Sequence, residues 1–194
     1  MIKDWKKDLF TIPNLLSLFR LLLIPVYVII YLNARDAADY YIAAGILAVS
    51  CITDLIDGKI ARHFNMISNV GKILDPVADK LTQFTLIICL SVHYPVIRSV
   101  LVLFVLKEGF QSIAGLLLLR KGKILAGALI TGKVCTTILF ISLILLVMLP
   151  GLEQNVINLI TFIDIVFMLI AFGDYVRVYY KKGPMIQQIE KKEE

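Results

Sequence analysis

Four aspartates in this sequence are spaced for joint chemistry. Asp54 and Asp57 are three residues apart, and Asp75 and Asp79 are four apart, so on helices each pair shares a face. Only residues 63–70 separate the two segments, and a helix–turn–helix there brings all four carboxylates together. Two unit charges about 4 Å apart repel by ~4 kcal/mol at an effective dielectric near 20. Such a group cannot stay ionised without cations, and two divalent ions cancel its charge. Oxygen-only donors, with no His or Cys among them, favour Mg²⁺ or Mn²⁺ over zinc. These ions orient pyrophosphates and stabilise charge on attacking and leaving oxygens. Gly58 and Ala61 leave the strip beside Asp54 and Asp57 without bulky side chains, so a flat ligand can lie there. Close helix packing through small residues is the commoner use of such a strip.

The segments that carry these residues belong in lipid. Hydrophobic residues make up 59% of the 194 positions and charged residues 18%, outside the range of ordinary soluble domains. Apolar runs cover 12–33, 40–62, 72–93, 96–119, 124–149 and 156–177, each near the ~20 residues that cross a bilayer as a helix. The expected fold class is therefore all-α, an integral membrane bundle of six transmembrane helices. An ionisable group inside a span costs several kcal/mol. Arg20, Asp54, Asp79 and Lys133 each fall about seven to nine residues from one end of a run, roughly 10–14 Å deep at the helical rise. Four segments with charges at one depth imply one polar cavity, whereas Lys59 and Arg62 are explained by snorkelling.

Basic residues fix the expected orientation. Lys3, Lys6 and Lys7, then Lys59, Arg62 and Lys72, then Arg120, Lys121 and Lys123, and finally Lys181, Lys182, Lys191 and Lys192 fall on one side. Both termini and the cavity are thus expected in the cytoplasm, in a multi-pass protein of a bacterial inner or plasma membrane. The +5 net charge is accounted for by this asymmetry and by anionic membrane lipids, so no nucleic-acid partner is expected. Cys51, Cys89 and Cys135 are widely spaced and each inside a run, which predicts free thiols. Ile2, Trp5, Leu9 and Phe10 alternate with charges at helical spacing, as in a short interfacial amphipathic helix. The first apolar run is too long for a signal-peptide core and lacks a cleavage site, so it is expected to be retained. The organisation is one domain over 1–194, with the interfacial helix at 1–11, the bundle at 12–180 and a cytoplasmic tail at 181–194.

Asp54-Leu-Ile-Asp57-Gly58-Lys-Ile-Ala61-Arg62, eight residues, Gly71, three residues, Asp75, three residues and Asp79 resembles the motif of the CDP-alcohol phosphatidyltransferase family without gap or substitution. That resemblance implies two metal ions held by Asp54, Asp57, Asp75 and Asp79, with Asp79 also the general base. It implies that Gly58, Ala61 and Arg62 hold the cytidine nucleotide of CDP-diacylglycerol, assisted by Thr53 and the motif residue Gly71, which is equally a turn residue. A homodimer is usual in the family. In the implied reaction Asp79 takes the proton of an acceptor hydroxyl, the oxygen attacks the β-phosphorus, and CMP leaves. Asn14, Ser17 and Arg20 lie three residues apart on one face of the first run, similar to a polar strip common in the family. Asn14 and Arg20 are placed at the wall of the CDP-diacylglycerol site, although Asn14 also fits a helix start at Thr11 to Pro13.

The acceptor is expected to be glycerol 3-phosphate, because an alcohol carrying its own phosphate needs cations beyond the metals. Arg120, Lys133 and Arg177 supply them. Gly132-Lys133, Lys107-Glu108-Gly109 and Asp174-Tyr175 also resemble the glycerol 3-phosphate branch of the family. Inositol phosphate meets the same charge requirement, and serine is a further alternative. Membrane prenyltransferases also use Asp-rich helices, but at two sites far apart in sequence. A cation transporter predicts charges in both membrane halves and an inverted repeat. Lys107, Glu108 and Asp164 are its residual support. Lys107 and Asp164 are expected to form a buried ion pair, or to share a network with Glu108.

Overall fold

The structure is a computed structural model that describes residues 11–63, 71–120, 123–125, 129–181 and 186–188, with the side chains of 12–13, 54–63, 72–73, 181 and the two short strands outside the description. Helices account for almost all of it. In chain order they are α1 (Ile12–Asn33), α2 (Ala37–His63), α3 (Gly71–His93), α4 (Arg98–Arg120), α5 (Ile130–Met148) and α6 (Gln154–Lys181), with a 3-10 turn at Pro95–Ile97. Except for Thr11, the interfacial helix expected over 1–11 lies outside the described residues, as does the end of the tail.

Local chemistry sets the helix ends. Thr11 is extended, with φ −77° and ψ 148°, and proline occupies the first turn of α1, where a missing N–H costs nothing. α2 begins at Ala37 rather than at residue 40. Asp36 Oδ1 accepts the Asp39 N–H of the first turn at 3.1 Å, and Asp39 Oδ2 reaches back to accept the Arg35 N–H just before the helix at 2.8 Å, so acidic side chains serve free amides at the helix start. Between α5 and α6 the chain turns at Gly151, whose φ of +93° suits a residue without Cβ.

The fifth apolar run does not form a helix from residue 124. Lys123–Leu125 is a strand, β1, paired antiparallel with β2 at Ile186–Gln188 in the register Lys123 to Gln188, Ile124 to Gln187 and Leu125 to Ile186. The backbone of 123–125 is engaged by the tail, and α5 starts only at Ile130. The expected all-α class holds for the described residues, with one short two-stranded ribbon beside the helices.

The chain forms two compact units, 1–93 with 143–151 and 94–142 with 152–194. In the first, α1 packs on both α2 and α3 around Tyr27, Ala43, Leu47, Ala78, Leu86 and Leu90. Tyr31 forms the hub of an aromatic cluster with Tyr27, Tyr40 and His93, at ring separations of 5.5, 5.5 and 5.2 Å. That cluster ties the end of α1 to the start of α2 and the end of α3. In the second unit α4 packs on α6, with Phe110 edge-on to Phe172 and Tyr179.

Polar and apolar groups are distributed inside out. Ser17, Arg20, Lys107 and Asp164 are at most 3% exposed, while Leu22, Ile113 and Phe162 are more than 60% exposed. An apolar exterior on this scale demands an apolar surrounding. Among the described residues four helices are long and apolar enough to cross a membrane, at Asn14–Asn33, Pro95–Arg120, Ile130–Met148 and Gln154–Tyr180. This is the character of a multi-pass membrane protein. Cys51, Cys89 and Cys135 are free thiols.

Candidate functional site

The polar strip of α1 faces the aspartates of α3. Asn14, Ser17 and Arg20 are buried, at 1%, 0% and 2% exposure. Helical spacing puts them on one face, and their partners stand at helical spacing too. The Ser17 hydroxyl donates to Asp75 Oδ1, and one turn further along both helices Arg20 Nη1 donates to Asp79 Oδ1 in an ion pair. A buried guanidinium requires such a partner, because desolvating a charge without one costs several kcal/mol. The pair is asymmetric, with the Arg20 side chain 2% exposed and that of Asp79 48% exposed. Arg20 is thus fixed in the packed interior, while the carboxylate it holds remains open to a ligand.

On α2 the Thr53 hydroxyl donates to the Ser50 carbonyl at 2.7 Å. Asp54, Asp57, Gly58, Ala61 and Arg62 occupy the last turns of α2, which runs unbroken to His63; their side chains lie outside the described residues. Gly71 is the buried first residue of α3. The expected helical setting of both aspartate pairs is therefore present at the level of the backbone. Among the described residues no three His, Cys, Asp or Glu side chains form a metal cluster, and two of the four expected ligands are not in that set.

Arg120, Lys133 and Arg177 are all exposed and all belong to the second unit. Lys133 stands in the first turn of α5, since that helix begins at Ile130. This corrects its expected place nine residues into a span, because β1 takes up the segment that the longer helix would have used. Beside it, Gly132 is pressed against Tyr175. A Cβ at position 132 would lie 2.8 Å from the Tyr175 hydroxyl and 3.0 Å from its ring, so a larger residue there would force the Tyr175 side chain to shift. Lys107 and Asp164 are both buried, as expected, but not paired with each other. Lys107 Nζ contacts Glu108 Oε1 at 2.6 Å, and Asp164 Oδ1 is buried without a partner among the described residues.

The sequence matches the family model described as CDP-alcohol phosphatidyltransferase over residues 10–173. The chain belongs to the CDP-alcohol phosphatidyltransferase family. Its relatives include a cardiolipin synthase (CMP-forming)/mitochondrial hydrolase fusion protein of Schizosaccharomyces pombe, 44% identical over 90 residues, which are 45% of this chain and 14% of that protein. The CDP-diacylglycerol–glycerol-3-phosphate 3-phosphatidyltransferase of Escherichia coli K12 is 39% identical over 85 residues, 44% of this chain and 46% of that protein. A protein of the same description in Shigella boydii matches equally. The chain thus spans less than half the length of these relatives. Among the residues that meet the motif aspartates, Ser17 is the one whose part is least legible from sequence. It shares the face of Asn14 and Arg20, but only the fold shows that it reaches Asp75.

Proposed function

We propose that this chain is a multi-pass membrane enzyme that transfers the phosphatidyl group of CDP-diacylglycerol to glycerol 3-phosphate and releases CMP. The observation that carries the reading is the bonding of Ser17 and Arg20 to Asp75 and Asp79 inside the family motif. Two carboxylates one turn apart, held from behind and partly exposed, suit an oxygen-only cation site. Asp54, Asp57, Asp75 and Asp79 would hold two divalent cations, Mg²⁺ or Mn²⁺, which supply neutralisation of phosphate charge. Asp79 accepts the proton of the acceptor hydroxyl at its carboxylate. Asn14, Arg20, Thr53, Gly58, Ala61, Arg62 and Gly71 line the CDP-diacylglycerol site, with the acyl chains left among lipids.

Arg120, Lys133 and Arg177 receive the phosphate of the acceptor. Lys133 carries the most weight, because a cation in the first turn of a helix opposes the helix dipole by about 0.3–1 kcal/mol. Helix stability therefore does not explain a lysine there. We read both units as one functional domain, since the family match at 10–173 includes the motif in the first and Lys133 in the second. Six spans, cytoplasmic termini and a homodimer in a bacterial plasma membrane complete the reading. The cardiolipin synthase relative favours a second one, in which the acceptor is another phospholipid.

The test is CMP release by the purified protein in detergent, from CDP-diacylglycerol with Mg²⁺ or Mn²⁺. Release that depends on glycerol 3-phosphate supports the first reading. Dependence on an added phospholipid supports the second, and no release with any alcohol refutes both.

A further inference from the structure

A small cavity lies next to the Arg20–Asp79 pair, within the three-helix packing of the first unit. Arg20 and Tyr27 of α1, Ser50 of α2, and Thr82 and Thr85 of α3 supply the polar part of its wall, and Leu23, Ile24, Ile46, Leu47 and Leu86 supply the larger, apolar part. It measures about 10 Å³ over the positions that the centre of a water-sized sphere can take, room for about one water molecule. The Tyr27 side chain lines it and is 2% exposed, and the Tyr27 hydroxyl is buried without a protein partner among the described residues. Leaving such a hydroxyl unsatisfied is costly, because its desolvation is not offset. The neighbouring chemistry is complementary. Thr82 spends its proton on the Ala78 carbonyl at 2.9 Å, which leaves a lone pair to accept, and the Ser50 hydroxyl can donate or accept. A buried water requires two to four such partners.

We infer that this cavity is a binding site for one ordered water, and that Tyr27, Ser50 and Thr82 hold through it the guanidinium of Arg20. The water accepts from Arg20, exchanges hydrogen bonds with Tyr27 and Ser50, and donates to Thr82. Tyr27 and Thr82 thereby become positioning residues for Asp79, acting through Arg20 and touching no substrate. The positioning role rests on the proposed transferase reading; the water site does not.

The experiment joins a high-resolution structure with a double-mutant cycle. Density for a water within hydrogen-bonding distance of the Tyr27 hydroxyl is expected, and an apolar void there overturns the site. Tyr27→Phe and the isosteric Thr82→Val are each expected to lower kcat on the order of 10-fold, the usual effect of removing an outer partner. KM for both substrates and the amount of folded protein should be unchanged. Because both act through one water, the double variant is expected to be little worse than either single one. Additive losses, or wild-type kcat in Tyr27→Phe, overturn the shared positioning role. A wild-type protein that releases no CMP refutes the transferase reading instead, and the water density then still decides the site.

Discussion

Arg20 on α1 is bound to Asp79 on α3, with the arginine side chain 2% exposed and the aspartate 48%. The buried partner fixes the orientation of the open one. If Asp79 is the base, its activity depends on a residue almost sixty positions away in the chain. Arg20→Ala is expected to lower kcat on the order of 100-fold, with Arg20→Lys recovering part of it, since lysine restores charge but not the planar fork. Steady-state CMP release measures both, and an Arg20→Ala enzyme within a few-fold of wild type removes Arg20 from the site.

Asp79→Asn is expected to abolish turnover in protein that remains folded, because it removes a charge and a proton acceptor together. Asp54→Asn, Asp57→Asn and Asp75→Asn should raise the Mg²⁺ concentration for half-maximal activity, or abolish activity. Chelation should silence the wild type reversibly. A metal titration decides the matter, and an unchanged Mg²⁺ dependence in all three counts against shared ligation.

At Gly132 the expected effect is steric. Gly132→Ala sets a Cβ against the Tyr175 hydroxyl, and overpacking of this kind costs about 1–3 kcal/mol. Thermal unfolding in detergent should show the loss, and the added change Tyr175→Ala should recover much of it. Because Lys133 is the next residue, KM for glycerol 3-phosphate should rise in Gly132→Ala more than KM for CDP-diacylglycerol. No recovery in the double variant would place the strain elsewhere.

In the second unit the buried polar groups should matter for folding more than for chemistry. Asp164→Asn keeps the shape and removes the charge of a buried carboxyl whose Oδ1 has no partner among the described residues, and should be nearly neutral. Asp164→Ala leaves a gap in the packing and should cost more, on the order of 1 kcal/mol. Lys107→Met should destabilise the protein by roughly 1–3 kcal/mol, since it removes a charged donor from Glu108. Unfolding midpoints test all three, and equal stability of Lys107→Met and wild type would contradict the role given to the Lys107–Glu108 contact.

The helices were legible in sequence because their apolar runs and charge breaks are long, and the α3 aspartates because spacing alone places them on one face. The partners of those aspartates were only half legible. Helical periodicity puts Ser17 beside Arg20, but which helix that face meets is a tertiary fact. Two misreadings have one cause. Ile124 and Leu125 extend an apolar run and so read as helix, whereas pairing with 186–188 makes them strand and moves Lys133 to the first turn of α5. Likewise, depth counting matched Lys107 to Asp164, but the adjacent Glu108 is within 2.6 Å and needs no second helix.

The most direct test supplies purified protein, reconstituted with CDP-diacylglycerol and Mg²⁺, with isotopically labelled glycerol 3-phosphate, and follows the label into lipid. Labelled phosphatidylglycerophosphate is expected in the wild type, none in Asp79→Asn, and in Lys133→Ala a KM for glycerol 3-phosphate raised far more than that for CDP-diacylglycerol. Robust lipid product from serine, inositol phosphate or a second phospholipid, with no label incorporated from glycerol 3-phosphate, would contradict the proposed function.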